Sequence, residues 1–400
     1  MKYSSLTRRI VNDNPTEDDP VDSWAVHILA MQRVAQGDDI TLLSIGQETD
    51  ETTPDIVVEK AVQSLQGGRH HYVDMKGELH LREAVAEYHA SLTGQVLSSD
   101  NVTICTGAQN ALYSVAQILL EAGDEVVLVA PYYTTYAATF GASGATVVTV
   151  QVTADNDYEL DPQQLLDAIT PRTRAVVLNT PNNPLGSCYS AELMQQLVQR
   201  CLANDIWLII DTVYLDTVAA GSVALPHSIP GAERILITVG SLSKSHRMTG
   251  WRVGWVIGPG ELSSHLATLA VCMHYGLPPF IQDAAAVAIR QAATTPQTVR
   301  TVMQERRALL LQHLQDTAPT RLLDSGQGMF ILLDVSPLGT SAHDFAMGLL
   351  AAKDVSVLPC DGFGPGGQYL VRIGLCVDGQ QLVEAGRRIC DYIASEAEAM

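Results

Sequence analysis

The sequence predicts an α/β protein with a large domain, whose mostly parallel sheet is covered by helices on both faces, and a smaller α/β domain. Three observations predict this fold. The chain has 400 residues, which is too long for one small module. Short β-branched runs alternate with helix-period segments between about residues 45 and 290. The runs are apolar almost throughout, as is typical of strands buried on both faces of a parallel sheet.

The domain boundaries are predicted from where this alternation starts and where it restarts. Residues 1–44 are assigned to an N-terminal arm and helix that belong to the small domain, with a loose polar arm at 12–20. Residues 45–291 are assigned to the large domain, and residues 292–400 to the small C-terminal domain.

The elements of the large domain follow in chain order. Its predicted strands are VTIC (102–105), VVLVA (126–130), AVVLN (175–179), IWLII (206–210), ILITV (235–239) and VGWVI (253–257). Helical periodicity indicates helices at 109–122 and 190–204, and one long, largely apolar helix over 261–291.

The small domain restarts the pattern after about residue 292. Its predicted elements are MFILLDV (329–335), a helix near 341–351, VSVLP (355–359), YLVRIGLCV (369–377) and a closing helix.

Composition excludes several classes of function. Acidic residues outnumber basic ones by 44 to 24, and the basic residues are scattered, which disfavours nucleic-acid binding. The apolar runs are shorter than the roughly 20 residues that a membrane helix needs. The N terminus lacks the apolar core of a secretion signal. Seven cysteines without CxxC spacing indicate free thiols in a reducing compartment, so we expect a cytoplasmic protein with no metal site.

Polar and charged residues follow four of the predicted strands. Small residues at 106–109 open a helix after the first strand, and 180–186 forms a stiff loop with two prolines after the third. Asp211 ends the fourth strand, and Lys244 follows the fifth. Arg252 lies between two tryptophans eight residues later.

Ligands of open parallel sheets bind beyond the carboxyl ends of the strands, so these groups are expected at one site. A lysine, a carboxylate, an amide, a phenol, an arginine and a helix N terminus suit a ligand that has an aldehyde, a ring nitrogen and a phosphate. Pyridoxal 5'-phosphate has all three groups. The sequence therefore predicts a site for this cofactor.

From about residue 40 onwards, the sequence resembles the fold-type I pyridoxal-phosphate aminotransferases of class I and II. The matching motifs are Tyr72 with Gly77, Leu81-Arg82, Thr106-Gly107-Ala108, Pro131-Tyr132-Tyr133, Asn183 to Gly186, Asp211 to Tyr214, Ser241 to Lys244, Arg252 and Arg372.

The resemblance implies roles for the residues around the cofactor ring. Lys244 is expected to form the Schiff base and then to move the substrate proton as general acid and base. Asp211 is expected to pair with the ring nitrogen. Asn183 and Tyr214 are expected to hydrogen-bond the phenolic oxygen, and Tyr133 to stack on the ring.

The resemblance also implies how phosphate and substrate are held. Arg372, Gly46 and Asn183 are expected to bind the substrate, with Arg372 clamping its carboxylate. Tyr72 is expected to reach the phosphate in the neighbouring subunit, which implies a homodimer. The residues expected to hold the phosphate within one chain are Gly107, Ala108, Gln109, Ser241, Ser243 and Arg252.

The implied reaction exchanges an amino group between an L-amino acid, arginine being one candidate, and a 2-oxo acid such as pyruvate, through a pyridoxamine phosphate intermediate. The chain departs from the family pattern at residues 47–49, Leu185 and Thr212. These departures leave open a lyase, a cyclising synthase or an oxidase that acts on an amino acid with the same cofactor. A DNA-binding regulator is disfavoured because only about 40 residues, which are acidic overall and include Pro15 and Pro20, precede the matching region.

Overall fold

A computed structural model describes residues 3–10, 23–219, 221–314 and 317–399. The loose arm predicted at 12–20 lies outside the described residues. The helices are α1 (Leu6–Arg9), α2 (Ala25–Gln36), α3 (Asp55–Gln66), α4 (Leu79–Thr93), α5 (Ala108–Leu119), α6 (Tyr136–Gly141), α7 (Pro162–Asp167), α8 (Ala191–Ala203), α9 (Gly260–Met273), α10 (Pro279–Arg290), α11 (Thr295–His313), α12 (Ala342–Lys353) and α13 (Gly379–Ala399). The strands are β1 (Thr41–Leu42), β2 (Val102–Cys105), β3 (Glu125–Ala130), β4 (Thr146–Gln151), β5 (Thr173–Asn179), β6 (Trp207–Asp211), β7 (Leu236–Ser241), β8 (Gly254–Ile257), β9 (Arg321–Leu323), β10 (Phe330–Asp334), β11 (Val355–Ser356), β12 (Leu358–Pro359) and β13 (Leu370–Gly374).

The large sheet has seven strands in the order β2-β8-β7-β6-β5-β3-β4. The neighbours from β7 to β4 pair in parallel, which confirms the predicted fold class. Strand β8 runs antiparallel to both β2 and β7. Strand β4 was missing from the predicted set because its residues are mostly half-exposed, and its threonines interrupt the apolar run.

Alternation along each central strand fills two separate cores. Leu208 and Ile210 of β6 pack into one hydrophobic cluster, whereas Ile209 packs into the cluster on the opposite face. All three side chains are fully buried. Since successive side chains of a strand point to opposite faces, burial on both sides requires the continuous apolar run seen in the sequence.

The prediction of one helix over 261–291 is wrong. Helix α9 ends at Met273, and α10 begins at Pro279. Between them, Gly276 has a φ of +88°, a backbone conformation that interrupts a right-handed helix. Pro278 and Pro279 have no backbone N–H, so they suit the start of a helix and cannot continue the hydrogen bonding of the preceding one.

The small domain is built on a four-stranded antiparallel sheet in the order β12-β13-β10-β9. A short parallel pair of β1 and β11 lies beside it. Val26 of α2, Leu310 of α11, Leu349 of α12 and Ile389 of α13 belong to one buried cluster. The N-terminal helix therefore packs with the C-terminal elements, while the boundaries at residues 44 and 291 stay predictions.

The register of the large sheet brings the ends of three strands together. The ends of β5, β6 and β7 are adjacent, with Asn179 beside Asp211 and Asp211 beside Val239 in the register.

Among the described residues, no helix combines the length and apolar character needed to cross a membrane. The cytoplasmic location stays a prediction.

Candidate active site

A cavity of about 480 Å³ lies at the carboxyl ends of β5, β6 and β7. Phe330 of β10 and Arg372 of β13 bring the small domain to its wall. Twelve of the fourteen predicted site residues line this cavity. They are Gly46, Ala108, Gln109, Tyr133, Asn183, Asp211, Tyr214, Ser241, Ser243, Lys244, Arg252 and Arg372.

Asp211 is the last residue of β6 and is 6% exposed. The Tyr136 hydroxyl donates to its Oδ2 at 2.5 Å, and the Val213 backbone N–H donates to its Oδ1 at 3.0 Å. Burial raises the pKa of Asp211 to about 6, and these two hydrogen bonds oppose that rise. The carboxylate forms no ion pair with the described residues, so it can accept a cationic partner from a ligand.

Lys244 lies just beyond β7, and its Nζ donates a short hydrogen bond to the Gly46 carbonyl oxygen. Burial, together with the positive charges of Arg372 and Arg252, lowers the pKa of Lys244 to about 8, although the nearby Cys376 thiol opposes this shift. A fraction of the amine is consequently neutral near pH 7, which a nucleophile or a proton acceptor requires.

One hydrogen-bonded chain joins the two domains across the cavity. Arg372 Nη1 donates to Asn183 Oδ1 at 2.9 Å, and Asn183 Nδ2 donates to the Tyr214 hydroxyl oxygen at 3.2 Å. Asn179 Oδ1 accepts a bond from the Asn183 backbone N–H at 2.7 Å and so fixes the loop. Burial raises the pKa of Tyr214 well above its usual range, so the phenol keeps its proton near neutral pH.

Arg372 is fully surrounded by protein, yet it keeps one donor unused among the described residues. Its Nη2 donates to the Ser44 carbonyl oxygen at 3.0 Å, while its Nε has no acceptor. Its guanidinium carbon lies 4.0 Å from the centre of the Phe330 ring. Because buried donors are normally paired, a guanidinium with spare capacity that lines a cavity indicates an anionic ligand.

Helix α5 begins at the cavity, with Gly107 as its N-cap at a φ of +88°. A side chain at Gly107 would collide with the guanidinium of Arg252. Arg252 is exposed, and its Nη1 donates to the Thr249 carbonyl oxygen at 2.8 Å. The free N–H groups of the helix start and the adjacent guanidinium form a cradle suited to a phosphate.

The side chains of the remaining predicted phosphate ligands already make hydrogen bonds within the chain. Ser241 Oγ donates to the Val253 carbonyl oxygen and lies 2.8 Å from Ser243 Oγ. Gln109 is held at both ends of its amide, by Thr139 at 2.6 Å and by Thr135 at 2.7 Å. Gln109 therefore faces the cavity with an amide that is already satisfied within the chain.

Tyr72 is not among the residues that line this cavity. Its side chain is 83% exposed, and its ring lies 5.4 Å from that of Tyr275. A single chain therefore does not bring Tyr72 to the site.

Sequence reasoning missed several residues of the site, among them Asn179, Tyr136 and Phe330. Asn179 carries a recognisable signal because it ends an apolar strand, as Asp211 does. Tyr136 is bonded to an aspartate 75 positions away, and Phe330 comes from the other domain; local patterns could not identify either. Of the three departures from the family pattern, Gln47 lines the cavity, whereas residues 185 and 212 do not.

The donor set fits pyridoxal phosphate. The buried carboxylate without an internal cation suits a protonated ring nitrogen, and the partly neutral lysine suits an aldehyde. The glycine that leaves room for Arg252 at the start of α5 suits a phosphate. No cluster of metal-ligating side chains occurs among the described parts of the chain.

Comparison with known proteins decides the family. Residues 38–389 match the family described as aminotransferase class I and II. The chain belongs to this aminotransferase family. It is 43% identical to an arginine–pyruvate transaminase of Pseudomonas aeruginosa over 97% of both chains. It is 30% identical to an aspartate aminotransferase of Pyrococcus horikoshii, over 90% of this chain and 92% of that one.

The solved structures agree with this assignment. An aspartate aminotransferase of Thermus thermophilus with maleate superposes with a TM-score of 0.89 at 28% identity, covering 98% of this chain and all of that one. The protein is a pyridoxal-phosphate-dependent aminotransferase, as its sequence predicted. The alternative of a lyase, cyclising synthase or oxidase finds no support among these relatives.

Proposed function

We propose that this aminotransferase uses the cavity at the ends of β5, β6 and β7 as its active site, with Lys244 as the residue that bonds the cofactor. One observation carries the proposal: the cavity is lined by both a partly neutral lysine and a buried carboxylate that has no cationic partner among the described residues. When bound, pyridoxal phosphate supplies an electron-poor ring that stabilises negative charge on the substrate Cα.

Lys244 is proposed to move the proton of the reaction. Its amine, once free, would accept the proton from the substrate Cα as a general base. It would then deliver that proton, as a general acid, to the carbon that belongs to the aldehyde group of the free cofactor. A pKa of about 8, lowered by burial, leaves both protonation states populated near neutral pH. The Gly46 carbonyl holds the amine in place through its hydrogen bond.

Asp211 is proposed to keep the ring nitrogen protonated. Its buried carboxylate is held by Tyr136 and the Val213 N–H, so its position is fixed before a ligand binds. Asn183 and Tyr214 are proposed to hydrogen-bond the phenolic oxygen of the cofactor, and Tyr133 to cover the ring. The observed Asn183–Tyr214 hydrogen bond of 3.2 Å keeps these two groups together.

Phosphate binding is proposed for the start of α5 and its surroundings. Gly107 and Ala108 offer backbone N–H groups, and Arg252 offers a guanidinium beside them. Ser241 and Ser243 add hydroxyl groups. Gln109 is proposed to contribute its backbone N–H, because its side-chain amide is already bonded within the chain.

Arg372 is proposed to clamp the α-carboxylate of both substrates, aided by Gly46 and Asn183. Its unpaired Nε and its position in the small domain support this role. A paired contact between a guanidinium and a carboxylate combines charge with fixed geometry. Because the clamp and Lys244 lie in different domains, substrate binding is proposed to draw the domains together.

Arginine is proposed as an amino donor and pyruvate as an acceptor, on the 43% identity to the transaminase of Pseudomonas aeruginosa. Asp211 is the one carboxylate among the described residues that line the cavity, so the chain offers no second acid to a guanidinium there. Trp24 and Gln47 also line it. An indole face attracts a guanidinium, and an amide oxygen accepts from it, so these two side chains are proposed to contact the donor.

A homodimer with Tyr72 reaching the neighbouring site is also proposed. Exposed apolar side chains support it, since such side chains are common at interfaces. They occur on α3, at the end of α9 and at Tyr72, whose ring lies 5.4 Å from that of the exposed Tyr275; they are Ile56, Val58, Val62, Leu65, Tyr72, Val271, Met273 and Tyr275.

Borohydride reduction of the holoenzyme followed by peptide mapping tests the site assignment. We expect the cofactor adduct on Lys244 alone. An adduct on any other lysine would overturn the assignment. A panel of amino donors with pyruvate tests the substrate: activity with alanine or aromatic donors but none with arginine would refute the arginine proposal.

A further inference from the structure

Residues 43–54, which join β1 to α3, contain no helix or strand, yet they carry Gly46 into the active site. The position of such a segment depends on the side chains that anchor it rather than on a hydrogen-bonded ladder. Gly46 contacts the site directly, since its carbonyl oxygen accepts the hydrogen bond from Lys244 Nζ. A methyl group at Gly46 would lie 2.7 Å from the Phe330 ring, so the backbone is also tightly confined there.

The anchor of this segment is a group of ions in which Arg306 and Glu48 are buried and Asp50 is exposed. Arg306 of α11 donates from Nη1 to both carboxylate oxygens of Glu48, each at 2.9 Å, and from Nη2 to Asp50 at 2.8 Å. The Glu48 side chain is 4% exposed, and that of Arg306 is 5% exposed. We call Arg306, Glu48 and Asp50 the Arg306 cluster.

Backbone contacts tie the same segment to the end of β13. Thr49 donates from its backbone N–H and its hydroxyl to the Cys376 carbonyl oxygen, at 3.2 and 3.0 Å. Arg306 Nη1 also lies 3.3 Å from the Leu375 carbonyl oxygen. Glu48, Thr49 and Asp50 are thus held by the small domain, while Gly46 itself contacts the proposed catalytic lysine of the large domain.

We propose that the Arg306 cluster is a positioning device, which holds the Gly46 carbonyl against the free Lys244 amine and so fixes the direction in which that amine exchanges its proton. Glu48 and Arg306 touch neither substrate nor cofactor in this proposal. They act through the backbone between Glu48 and Gly46, which contains a single intervening residue, Gln47, and has little freedom to absorb a shift. Helix α11 is thereby linked to the chemistry through a buried ion pair.

The electrostatic consequence has a definite sign. The charged and titratable groups that shift the pKa of Lys244 are Arg372, Arg252 and Cys376, and Asp211 and Tyr214 line the same cavity. The Gly46 carbonyl adds an acceptor that favours the ammonium form. Loss of the Glu48 carboxylate releases this acceptor and leaves the positive charge of Arg306 less compensated. Both effects disfavour the ammonium form, so the pKa of Lys244 is expected to fall.

Helix α11 supplies a matched control one residue further along. Arg307 is equally buried and pairs with Asp324, and it also donates to the carbonyl oxygens of Gln327 and Gly328 at 2.7 and 3.0 Å. This second pair anchors a different loop. Asp324→Asn therefore breaks a comparable buried ion pair on the same helix without touching the segment that carries Gly46.

The experiment compares Glu48→Gln, Arg306→Lys and Asp324→Asn with the unmodified enzyme. The holoenzyme is converted to its pyridoxamine form, in which Lys244 is free, and is labelled with an amine reagent over a range of pH. Mass spectrometry gives the pH midpoint of labelling at Lys244, and stopped-flow absorbance gives the limiting rate of the half-reaction. Thermal unfolding records the loss of stability in each variant.

We expect the labelling midpoint to fall by about 0.5–1 pH unit in Glu48→Gln, and the limiting rate to fall about tenfold or more because small displacements of reacting groups are costly. Arg306→Lys keeps the positive charge and should show smaller changes of the same sign. Asp324→Asn should lose stability while its midpoint and rate stay unchanged. Equal midpoints and rates in Glu48→Gln and Asp324→Asn would overturn the proposal and leave the cluster a purely structural role.

This inference rests on the proposed role of Lys244, and the same experiment separates the two. If Lys244 is not the residue that bonds the cofactor, its labelling in the unmodified enzyme will not differ between the pyridoxal and pyridoxamine forms. If Lys244 becomes reactive only in the pyridoxamine form but the Arg306 cluster variants leave its midpoint unchanged, the role of Lys244 stands and the cluster proposal fails.

Discussion

At the scale of single residues, Asp211 and Arg372 are groups whose burial is unfavourable until a ligand arrives. Burial raises the pKa of Asp211 to about 6, and it also lowers the pKa of Arg372 from its usual value. The Asp211 carboxylate can still accept a hydrogen bond from a cation, and the Arg372 guanidinium can still donate one to an anion. A site of this kind gives up some stability in the free enzyme and gains electrostatic strength when the ligand excludes water.

The raised pKa of Asp211 predicts how stability depends on pH in the cofactor-free enzyme. A folded pKa above the unfolded value means that its contribution is most favourable at low pH and is lost as the pH rises through about 6. Asp211→Asn should therefore stabilise the cofactor-free protein near pH 7.5, by up to roughly 3 kcal/mol, and the gain should shrink toward pH 4. Urea denaturation at several pH values measures this difference.

Asp283→Asn is the control for that prediction. Burial alone would raise the pKa of Asp283, but its hydrogen bonds to Arg69, at 3.1 Å from both Nε and Nη2, lower it. The Asp283 carboxylate therefore stabilises the fold near neutral pH, and this contribution is lost as the pH falls. Asp283→Asn should be destabilising at pH 7.5. The account of Asp211 is wrong if Asp211→Asn is also destabilising there.

Arg372→Lys tests the carboxylate clamp. A lysine keeps the charge but cannot make a two-pronged contact, and a charged hydrogen-bonded contact is worth about 1.5–3 kcal/mol. We expect KM for both substrates to rise about 10- to 100-fold. Steady-state kinetics measure this change, with Arg321→Lys in β9 as the control because Arg321 pairs with the exposed Asp157. A similar rise of KM in both variants would exclude a specific clamp at Arg372.

At the scale of secondary-structure elements, the helix start at Gly107 shapes the proposed phosphate cradle. The turn from β2 into α5 needs a φ of +88° at this position, which glycine adopts readily. The absence of a side chain there also leaves the space that Arg252 occupies. One residue thus satisfies a backbone requirement and a packing requirement together.

Gly107→Ala should weaken binding of pyridoxal phosphate about tenfold or more, because the methyl group displaces Arg252 from the cradle. Gly123→Ala is the matched control, since Gly123 has a φ of +107° but no atoms within 4 Å of the added methyl. Both variants carry backbone strain, but only the first disturbs the arginine. Fluorescence titration of the cofactor-free proteins measures the Kd. Equal Kd values in the two variants would assign the effect to strain alone.

At the scale of the whole molecule, the active site draws on both domains and, as proposed, on a second subunit. Phe330 and Arg372 come from the small-domain sheet, and Lys244 and Asp211 come from the ends of the large-domain sheet. Tyr72, at 83% exposure, does not line the cavity of its own chain. The proposed homodimer therefore predicts that activity depends on assembly as well as on the fold of one chain.

Mixing two inactive variants tests whether Tyr72 acts across the dimer. Tyr72→Ala and Lys244→Ala subunits, unfolded and refolded together, should form hybrid dimers with one intact site. Random mixing should restore roughly a quarter of the unmodified activity. Refolding each variant alone is the control. Lack of recovery in dimers that size-exclusion chromatography and mass spectrometry confirm as hybrids would place Tyr72 outside the neighbouring site.

The sequence by itself determined the fold class, six strands of the large sheet, the family and the residues at the strand ends. These are local signals, because an apolar run and the polar residue that follows it are adjacent in the chain. Only the tertiary structure decided the antiparallel direction of β8, the break between α9 and α10, the Tyr136–Asp211 bond and the Arg306 cluster. Partners such as Arg306 and Glu48 lie 258 positions apart, so their contact depends on how the domains pack and leaves no local trace in the sequence.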